Sequence, residues 1–389
     1  TKREKNQYAI QGSESARGIA MFAYSQYVMR KNGARNILLL TATPFTNSPL
    51  EIYSMISLVA YQTLKERGLS NVKDFFDKFV EQSFEATVGA TGSFKINPVI
   101  RNFNNREVLQ SIIFDHILHK TGEQANVKRP VKVVYPRFKD SDGLPLELDA
   151  QVDTALKPTI EQQSWLDEIA NFEMGVPNKI EAYLPKELQE DRGATTLLSI
   201  HLAQACTLSP HLMSFGKKGE KEYLAGQIAF DDGKSFVESS PKLQYALESI
   251  RTIKKWHDSQ GEAMSGVVVY MNRGKDYFPG IAEYFRTELG FEKKEVAVLN
   301  SDNSKRKEQV KRGFLDNEIK ILFGTQSIKE GIDLQDHATT LFNLTLDWNP
   351  TDIQQLEGRI WRQGNKHSHV RIVTPLIENS VDVFMFQKL

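Results

Sequence analysis

The sequence has little cysteine, no excess of either charge and no long apolar run. Cys206 is the only cysteine in 389 residues, which excludes a disulfide framework and suits a reducing cytoplasm. The 49 basic residues equal the 49 acidic ones, whereas nucleic-acid-binding domains usually carry a basic excess, so any such site must be a local patch. No apolar run reaches membrane-spanning length, and residues 1–10 lack the apolar region of a signal peptide. A membrane is therefore not expected as a partner.

The last third of the chain alternates predicted strands with predicted helices, which is typical of a doubly wound parallel sheet. Buried strands are predicted over 267–270, 295–299, 319–323, 341–346 and 370–375. Near the start, a helix over 13–32 precedes an apolar run over 36–40 that leads into Thr41-Ala-Thr-Pro44. This pattern predicts a buried parallel strand with a ligand loop at its carboxyl end. Residues between about 60 and 240 show mostly helical patterns, with a surface excursion over 87–98 and a hinge over 216–240.

The stretch over 346–365 predicts a helix with two arginines on one face. Asn349 or Thr351 can cap a helix that Pro350 starts, and Gly364 offers a stop. On this helix Gln355, Arg359 and Arg362 fall at i, i+4 and i+7, while Ile353, Leu356 and Ile360 can face a core. Two guanidiniums on one face suit an anion with several oxygens, such as a triphosphate. The alternative is a helix that only makes surface salt bridges.

Four motifs in this order resemble those of superfamily 2 helicases. The sequence QLEGRIWRQGN resembles the sixth helicase motif with Asn365 in place of its final Gln, and LDWNP before it resembles the Swi/Snf-like branch of DNA translocases. The resemblance extends to the third motif at residues 38–47, to the fourth at residues 271–275 and to the fifth at residues 324–335. The resemblance implies an α/β fold with a complete second RecA-like lobe, a partial first lobe and a helical insertion. The expected domains are residues 1–60 for the first lobe, 61–240 for the insertion and linker, and 241–389 for the second lobe.

The resemblance also implies roles for individual residues. Arg359 and Arg362 are expected as catalytic arginine fingers on a γ-phosphate, and Gln355 as the group that positions that phosphate or its attacking water. The remaining expected roles are ATP binding by Gly331, Asp333 and Gly358, coupling by Thr41 and Thr43, and nucleic-acid binding by Asn272, Arg273, Lys275, Thr325 and Gln326. No metal ligands are expected, because His201, Cys206 and His211 fit no tetrahedral spacing.

Two elements of the family are missing from the sequence. No phosphate-binding Gly-x-x-x-x-Gly-Lys-Ser/Thr loop occurs, since Gly233-Lys-Ser235 has Ile228 at the first glycine position and is predicted to be linker. No acidic magnesium-binding motif precedes Thr41 either. The expected cofactor is ATP with Mg, bound mainly by residues upstream of this chain, so the chain alone is expected to be inactive.

The partner implied by the resemblance is DNA, double-stranded in preference, with RNA left open. Two alternatives to a translocase motor are also left open. The chain can be a non-catalytic docking module for nucleic acid or protein. It can also be the helicase segment of a larger phage or mobile-element polypeptide that carries a methyltransferase or nuclease.

Overall fold

The computed structural model describes residues 15–41, 49–88, 94–134, 155–184, 192–215, 222–329 and 332–388. The chain divides into two compact units, Thr1–Asn126 and Val127–Leu389, and each is described by itself. No helix in the described ranges is long and apolar enough to cross a membrane.

The first unit is built from helices and one hairpin. Its elements are α1 (Ala16–Lys31), α2 (Pro49–Glu66), α3 (Val72–Phe79), the antiparallel strands β1 (Val80–Val88) and β2 (Phe94–Phe103), and α4 (Arg106–His116). Phe75, Phe76 and Phe79 form the centre of its core, where they pack with Ile56 and Ile112. The Phe75 and Phe79 ring centroids lie 5.1 Å apart, as expected for a packed aromatic pair.

One expectation for this unit, a buried strand over 36–40, was wrong. Residues 35–41 form no strand, and Leu38 and Leu40 are 79% and 85% exposed. A strand needs a neighbour for its backbone groups, and β1 and β2 pair only with each other in the described part of this unit. The predicted helix over 13–32 is present as α1, but Ile19 and Tyr27 are exposed. The surface excursion over 87–98 falls within the hairpin's range.

The second unit contains eight helices and ten strands among its described residues. The helices are α5 (Ile160–Met174), α6 (Arg192–Leu208), α7 (Gly233–Glu238), α8 (Pro241–Gln260), α9 (Phe278–Leu289), α10 (Lys307–Leu315), α11 (Pro350–Glu357) and α12 (Val381–Lys388). The strands are β3 (Val131–Val134), β4 (Ala155–Leu156), β5 (Ser214–Phe215), β6 (Glu222–Tyr223), β7 (Gly266–Tyr270), β8 (Val296–Leu299), β9 (Ile321–Gly324), β10 (Ala338–Asn343), β11 (His369–Val373) and β12 (Leu376–Ile377).

Six of these strands form a parallel sheet in the order β3-β11-β10-β7-β9-β8. Every residue of β7 is buried, as its run of valines predicts for a central strand covered on both faces. One face packs on α8 and α9 through residues such as Ile250 and Phe285. The other face packs on α10 and α11 through Phe314 and Leu356. The predicted doubly wound α/β fold is confirmed.

Strand β3 and helix α12 complete the second unit around the sheet. Strand β3 follows Pro130 and forms the edge beside β11. Helix α12 is held by Asp382, whose carboxylate lies 2.7 Å from Lys242 Nζ of α8 and accepts hydrogen bonds from Thr207 of α6 and Ile377 of β12. Helix α12 is therefore anchored to three elements at once.

The predicted linker at Gly233-Lys-Ser235 is instead the start of α7. Phe236 and Val237 of α7 are buried in the sheet's core. A Cβ on Gly233 would lie 1.9 Å from the carbonyl oxygen of Gly280 in α9, so the glycine permits close contact between the two helices. The sequence around Gly233 did not show this contact, because Gly280 lies far from it along the chain.

Candidate functional site

Most of the candidate residues follow the carboxyl ends of β7, β9 and β10. These strands are neighbours in the sheet and end at Tyr270, Gly324 and Asn343, so the loops after them share one edge. We call this edge, with residues 271–275, 325–333 and 344–362, the carboxyl edge. Ligands of open α/β sheets bind at such edges.

The two candidate arginines both contact the loop after β9. Arg362 Nη1 forms an ion pair with Asp333 Oδ1, and both side chains are close to half exposed. Arg359 Nη1 donates to the carbonyl oxygen of Ile332 at 3.1 Å. The structure therefore places both arginines beside Ile332 and Asp333.

The helix that was expected to carry these arginines is shorter than predicted. Helix α11 ends at Glu357, with Asn349 as its cap accepting from the Thr351 amide at 2.9 Å. Arg359 and Arg362 lie in the turns that follow, and one of these turns is closed by a bond from the Trp361 amide to Glu357 O at 2.8 Å. The expected single helical face of Gln355, Arg359 and Arg362 is therefore wrong.

Two candidates on α11 have other surroundings. Gln355 is half-buried on the helix, and Gly358 is its C-cap with right-handed φ of −63°. A Cβ on Gly358 would lie 3.1 Å from Gln354 O, so this glycine allows the helix to end tightly. Gly331 and Thr43 lie outside the described residues. Thr41 lies in the first unit, where it borders a groove of about 470 Å³ lined by Ile37, Met55 and Val59.

Residues after β7 are held mainly by protein groups. The Asn272 side chain donates to Asp347 at 2.9 Å, and Arg273 Nη2 donates to Gln204 of α6 at 2.8 Å. Burial lowers the pKa of Arg273 from its ordinary value. Both side chains therefore turn into the protein, although they were expected to face a ligand.

Lys275 is the more accessible member of this group. Its Nζ lies 2.8 Å from both carboxylate oxygens of Asp302, and this hydrogen bonding raises the pKa of Lys275. Thr325 and Gln326 open the loop after β9, where Thr325 N–H donates to Leu299 O at 3.3 Å and Gln326 is exposed. Lys275, Thr325 and Gln326 are thus presented at the surface of the carboxyl edge.

Sequence reasoning missed a buried ion pair at the centre of this edge. Lys329 is 1% exposed and pairs with Asp347, which also accepts hydrogen bonds from Asn272 and from the Tyr270 hydroxyl at 3.1 Å. The Lys329 ammonium lies 5.0 Å from the centre of the Tyr270 ring. Burial and the Asp347 carboxylate raise the pKa of Tyr270. In the sequence, Lys329 stands next to Glu330 in the run SIKEG, and nothing there indicates that the lysine is buried.

A second missed feature is a pocket of about 240 Å³ beside Arg273. It is lined by residues of α6 and of the carboxyl edge, including Leu197, His201, Gln204, Leu346 and Trp348. The side chain of Trp348 is 56% exposed. Among the residues that the structure describes, no group of three or more potential ligands could hold a metal ion.

A further set of contacts holds β3 to the turns after α11. Trp361 Nε1 donates to Pro130 O at 2.9 Å, and Lys132 Nζ lies 2.9 Å from Glu357. The cationic groups of Arg129 and Lys132 lie 4.9 and 4.7 Å from the Trp361 ring centroid. These contacts fix the turns that present the two arginines.

The family comparison identifies the region that holds these loops. The model of the helicase conserved C-terminal domain matches residues 249–364. Residues 249–364 form a helicase C-terminal domain. This helicase C-terminal domain contains every described candidate of the carboxyl edge, and it lies within the range 241–389 that was expected for the second lobe.

One curated protein is similar in sequence to part of the chain. A 122-residue segment of the chain is 30% identical to defense against restriction protein B of Escherichia phage P1. This segment makes up 31% of the present chain and 5% of the phage protein. The chain thus spans a small part of that relative.

Solved structures that resemble the chain include ATPase cores. The C-terminal part of the Fun30 ATPase domain gives a TM-score of 0.44 at 16% identity, over 67% of this chain and 89% of that one. The Sulfolobus solfataricus SWI2/SNF2 ATPase core in complex with dsDNA gives 0.42 at 18% identity, over 90% of this chain and 59% of that one. The helicase C-terminal domain rests on the family match and on the sheet.

Proposed function

We propose that this chain is part of the motor of an ATP-dependent DNA translocase or helicase of the Swi/Snf-like superfamily 2 type. The observation that carries the proposal is the pairing of Arg362 with Asp333, beside Arg359, at the carboxyl edge of a helicase C-terminal domain. The Swi/Snf-like assignment rests on the motifs LDWNP and QLEGRIWRQGN.

The ion pair of Arg362 with Asp333 is weak enough for Arg362 to exchange Asp333 for a bound phosphate. An ion pair between half-exposed side chains contributes only about 0–1 kcal/mol, so Arg362 can leave Asp333 at little cost. A phosphate group offers Arg362 two charged oxygens in place of one exposed carboxylate. Asp333, once released, can accept a hydrogen bond from a ribose hydroxyl. Asp333 thus holds Arg362 in place until a nucleotide arrives.

The other catalytic candidates complete this proposed arrangement. ATP with Mg supplies the transferable phosphoryl group, and its principal ligands belong to motifs that the printed sequence lacks. Arg359 is oriented by Ile332 O, a neutral acceptor, and stabilises negative charge beside Arg362. Gln355, on the last turns of α11, orients the phosphate or the attacking water. We assign Gly331 and Gly358 to backbone positions near the nucleotide, and Thr41 and Thr43 to coupling.

The same edge has groups suited to a nucleic-acid backbone. Lys275 is paired only at the surface with Asp302, so a DNA phosphate can replace that carboxylate. Thr325 and Gln326 are neutral donors at the start of the loop after β9. Asn272 and Arg273 hold the Lys275 loop by their bonds to Asp347 and Gln204. Such contacts read charge and shape, so little sequence specificity is expected.

A second candidate function is favoured by the phage relative. We propose as the alternative that the motor belongs to a larger phage or mobile-element polypeptide that also carries a methyltransferase or nuclease. The segment shared with the phage P1 protein, named for defense against restriction, supports this alternative. A non-catalytic docking module is the remaining alternative, and the retained Arg359 and Arg362 argue against it.

The experiment is substitution of Arg362 in the intact protein. Arg362→Ala should abolish DNA-stimulated ATP turnover, because an arginine finger accelerates phosphoryl transfer by about 10³–10⁵-fold. Arg362→Lys should remain strongly impaired, because a lysine lacks the bidentate fork. Arg286→Ala, which removes a surface arginine paired with Glu283, is the matched control and should leave turnover unchanged. Wild-type turnover in Arg362→Ala would exclude the arginine-finger role.

A further inference from the structure

Five basic side chains gather at the opposite edge of the sheet, where β7, β10 and β11 begin. They are His257 at the end of α8, His337 before β10, Lys366 and His367 before β11, and Arg371 within β11. We call them the amino-edge cluster. None of them has a part in the proposed motor.

Arg371 is the buried member of the cluster. It is 7% exposed, and its Nη1 donates to Thr340 Oγ1 at 3.0 Å. Its Nε has no hydrogen-bond partner among the residues that the structure describes. Burial lowers the pKa of Arg371 to about 9, and no neighbouring carboxylate opposes this shift. A buried cation without a counter-charge is energetically costly, so the site favours an anion.

The histidines add unpaired nitrogens around this guanidinium. His257 is 8% exposed, and neither its Nδ1 nor His367 Nε2 has a hydrogen-bond partner within the described ranges. Arg371 of β11 lies opposite Thr340 of β10 in the sheet, and His367 and His337 stand four and three residues before these two positions. Besides burial, the Arg371 guanidinium also lowers the pKa of His257 and of His367.

The mouth of the cluster is formed by His337 and Lys366. Lys366 Nζ lies 2.9 Å from His337 Nε2, and the His337 and His367 ring centroids lie 6.2 Å apart. Since an ammonium can only donate, His337 Nε2 accepts and the ring is neutral. Lys366 is exposed at this end of the sheet.

The pKa of each histidine in the cluster is lowered from its ordinary value, by burial first and by neighbouring cations second. Outside the cluster, Lys320 also lowers the pKa of His337. The carboxylates of Asp258 and Glu262 act in the opposite direction on His257, and those of Asp316 and Asp336 do so on His337. An anion would reverse these shifts, because negative charge favours the protonated ring.

We infer that the amino-edge cluster binds a small oxyanion of the phosphate type, with Arg371 as its buried anchor and Lys366 at its entrance. The unpaired donors of Arg371 and the histidines are the groups that such an anion needs, and Lys366 gains a charged acceptor in place of a neutral ring. The ligand is either inorganic phosphate or the phosphomonoester of a small molecule. The inference goes beyond the proposed motor and does not rest on it.

Calorimetric titration of the 389-residue chain tests this inference. Sulfate and inorganic phosphate should each bind saturably to the cluster. The same binding should remain in Arg362→Ala, which lacks the arginine proposed to bind phosphate at the carboxyl edge. Sulfate does not titrate near neutral pH, so sulfate binding in buffers of different ionisation enthalpy reports protons taken up by the protein. Proton uptake is expected, and sulfate affinity should rise as the pH is lowered from about 8 to the ordinary histidine value of about 6.5. Adenosine monophosphate is the phosphomonoester arm, and tighter binding than inorganic phosphate would identify that source.

Variants make the titration specific. Arg371→Gln and Lys366→Gln should each weaken sulfate binding at least tenfold, while Lys234→Gln, an exposed lysine paired with Glu238, should not change it. Lys366→Gln changes an exposed side chain, so it keeps the test informative if Arg371→Gln fails to fold. Absence of saturable binding, binding without proton uptake, or equal binding by wild type and Lys366→Gln would overturn the inference. Displacement of sulfate by duplex DNA at matched phosphate concentration would assign the cluster to a nucleic-acid backbone instead and overturn it as well.

Discussion

Asp347 is the acceptor that organises the carboxyl edge at the scale of single residues. It accepts from Tyr270 at the end of β7, from Asn272 in the loop after that strand and from Lys329 in the loop after β9. Its side chain is 17% exposed, whereas that of Lys329 is 1% exposed. The buried Lys329 ammonium therefore needs the Asp347 carboxylate more than the carboxylate, which reaches solvent, needs the ammonium.

This inequality predicts which substitution is worse. Asp347→Ala leaves a fully buried ammonium without its carboxylate, and the free energy of unfolding should fall by about 3–5 kcal/mol. Lys329→Met leaves a partly exposed carboxylate with two hydrogen-bond donors, so its loss should be smaller. Urea unfolding of both variants measures the difference. Equal losses would contradict the assigned roles.

The histidines of the amino-edge cluster predict acid sensitivity. Their folded-state pKa values are lowered, so the unfolded chain binds more protons as the pH falls. The stability they contribute is present above the ordinary histidine pKa of about 6.5 and is lost as the pH falls toward the lowered values.

Urea unfolding between pH 8 and 5 measures this loss. His257→Gln should flatten the dependence of the free energy of unfolding on pH, because one lowered pKa is removed. His119→Gln, at an exposed position of the first unit, is the control for a generic effect of removing a histidine. An unchanged pH dependence in His257→Gln would refute the linkage.

At the residue scale, the motifs named Arg359, Arg362 and Asp333 as candidates, and the structure brings these three residues together, while their roles stay predictions. The sequence could not reveal the pair of Lys329 with Asp347, because that pair depends on burial in the folded domain. The inward orientation of Arg273 was also hidden, since its partner Gln204 lies on α6.

At the scale of elements, glycine positions decide how closely helices approach. Gly233 of α7 faces the backbone of Gly280 in α9. Gly233→Ala would place a Cβ 1.9 Å from Gly280 O, so α7 must move away from the core that Phe236 fills. We expect a loss of about 1–3 kcal/mol.

Thermal unfolding of the chain checks this expectation. Gly18→Ala in α1 is the control, because its Cβ would lie 3.7 Å from Ser15 Cβ, an ordinary contact. That variant should be neutral or up to about 1 kcal/mol more stable, since alanine favours helix over glycine. A Gly233→Ala variant that unfolds like wild type would show that α7 is not packed as described.

Strand β10 begins three residues before the predicted run over 341–346, because Thr339 and Thr340 are buried in the sheet although they are polar. Strand β7, a continuous apolar run that is buried throughout, matches the predicted 267–270 with one residue added at its start. Residues 36–40 have the same composition, yet they form no strand because the described part of the first unit provides no neighbour. Helix α11 was predicted too long because the turns after Glu357 keep near-helical hydrogen bonding, which a spacing pattern does not distinguish.

At the scale of the whole molecule, the second unit carries the recognisable domain. The helicase C-terminal match lies wholly within Val127–Leu389, and the six-stranded sheet extends that domain by β3 and β11. The chain spans 5% of the phage P1 relative, so activity in a longer polypeptide is a proposal that only the intact protein can test.

The most direct test of the motor proposal is ATP hydrolysis by the intact protein, with and without double-stranded DNA, beside the 389-residue chain under the same conditions. The proposal predicts DNA-stimulated turnover by the intact protein and none by the chain. Failure of the intact protein to hydrolyse ATP with either DNA or RNA would contradict the motor proposal and favour a docking module.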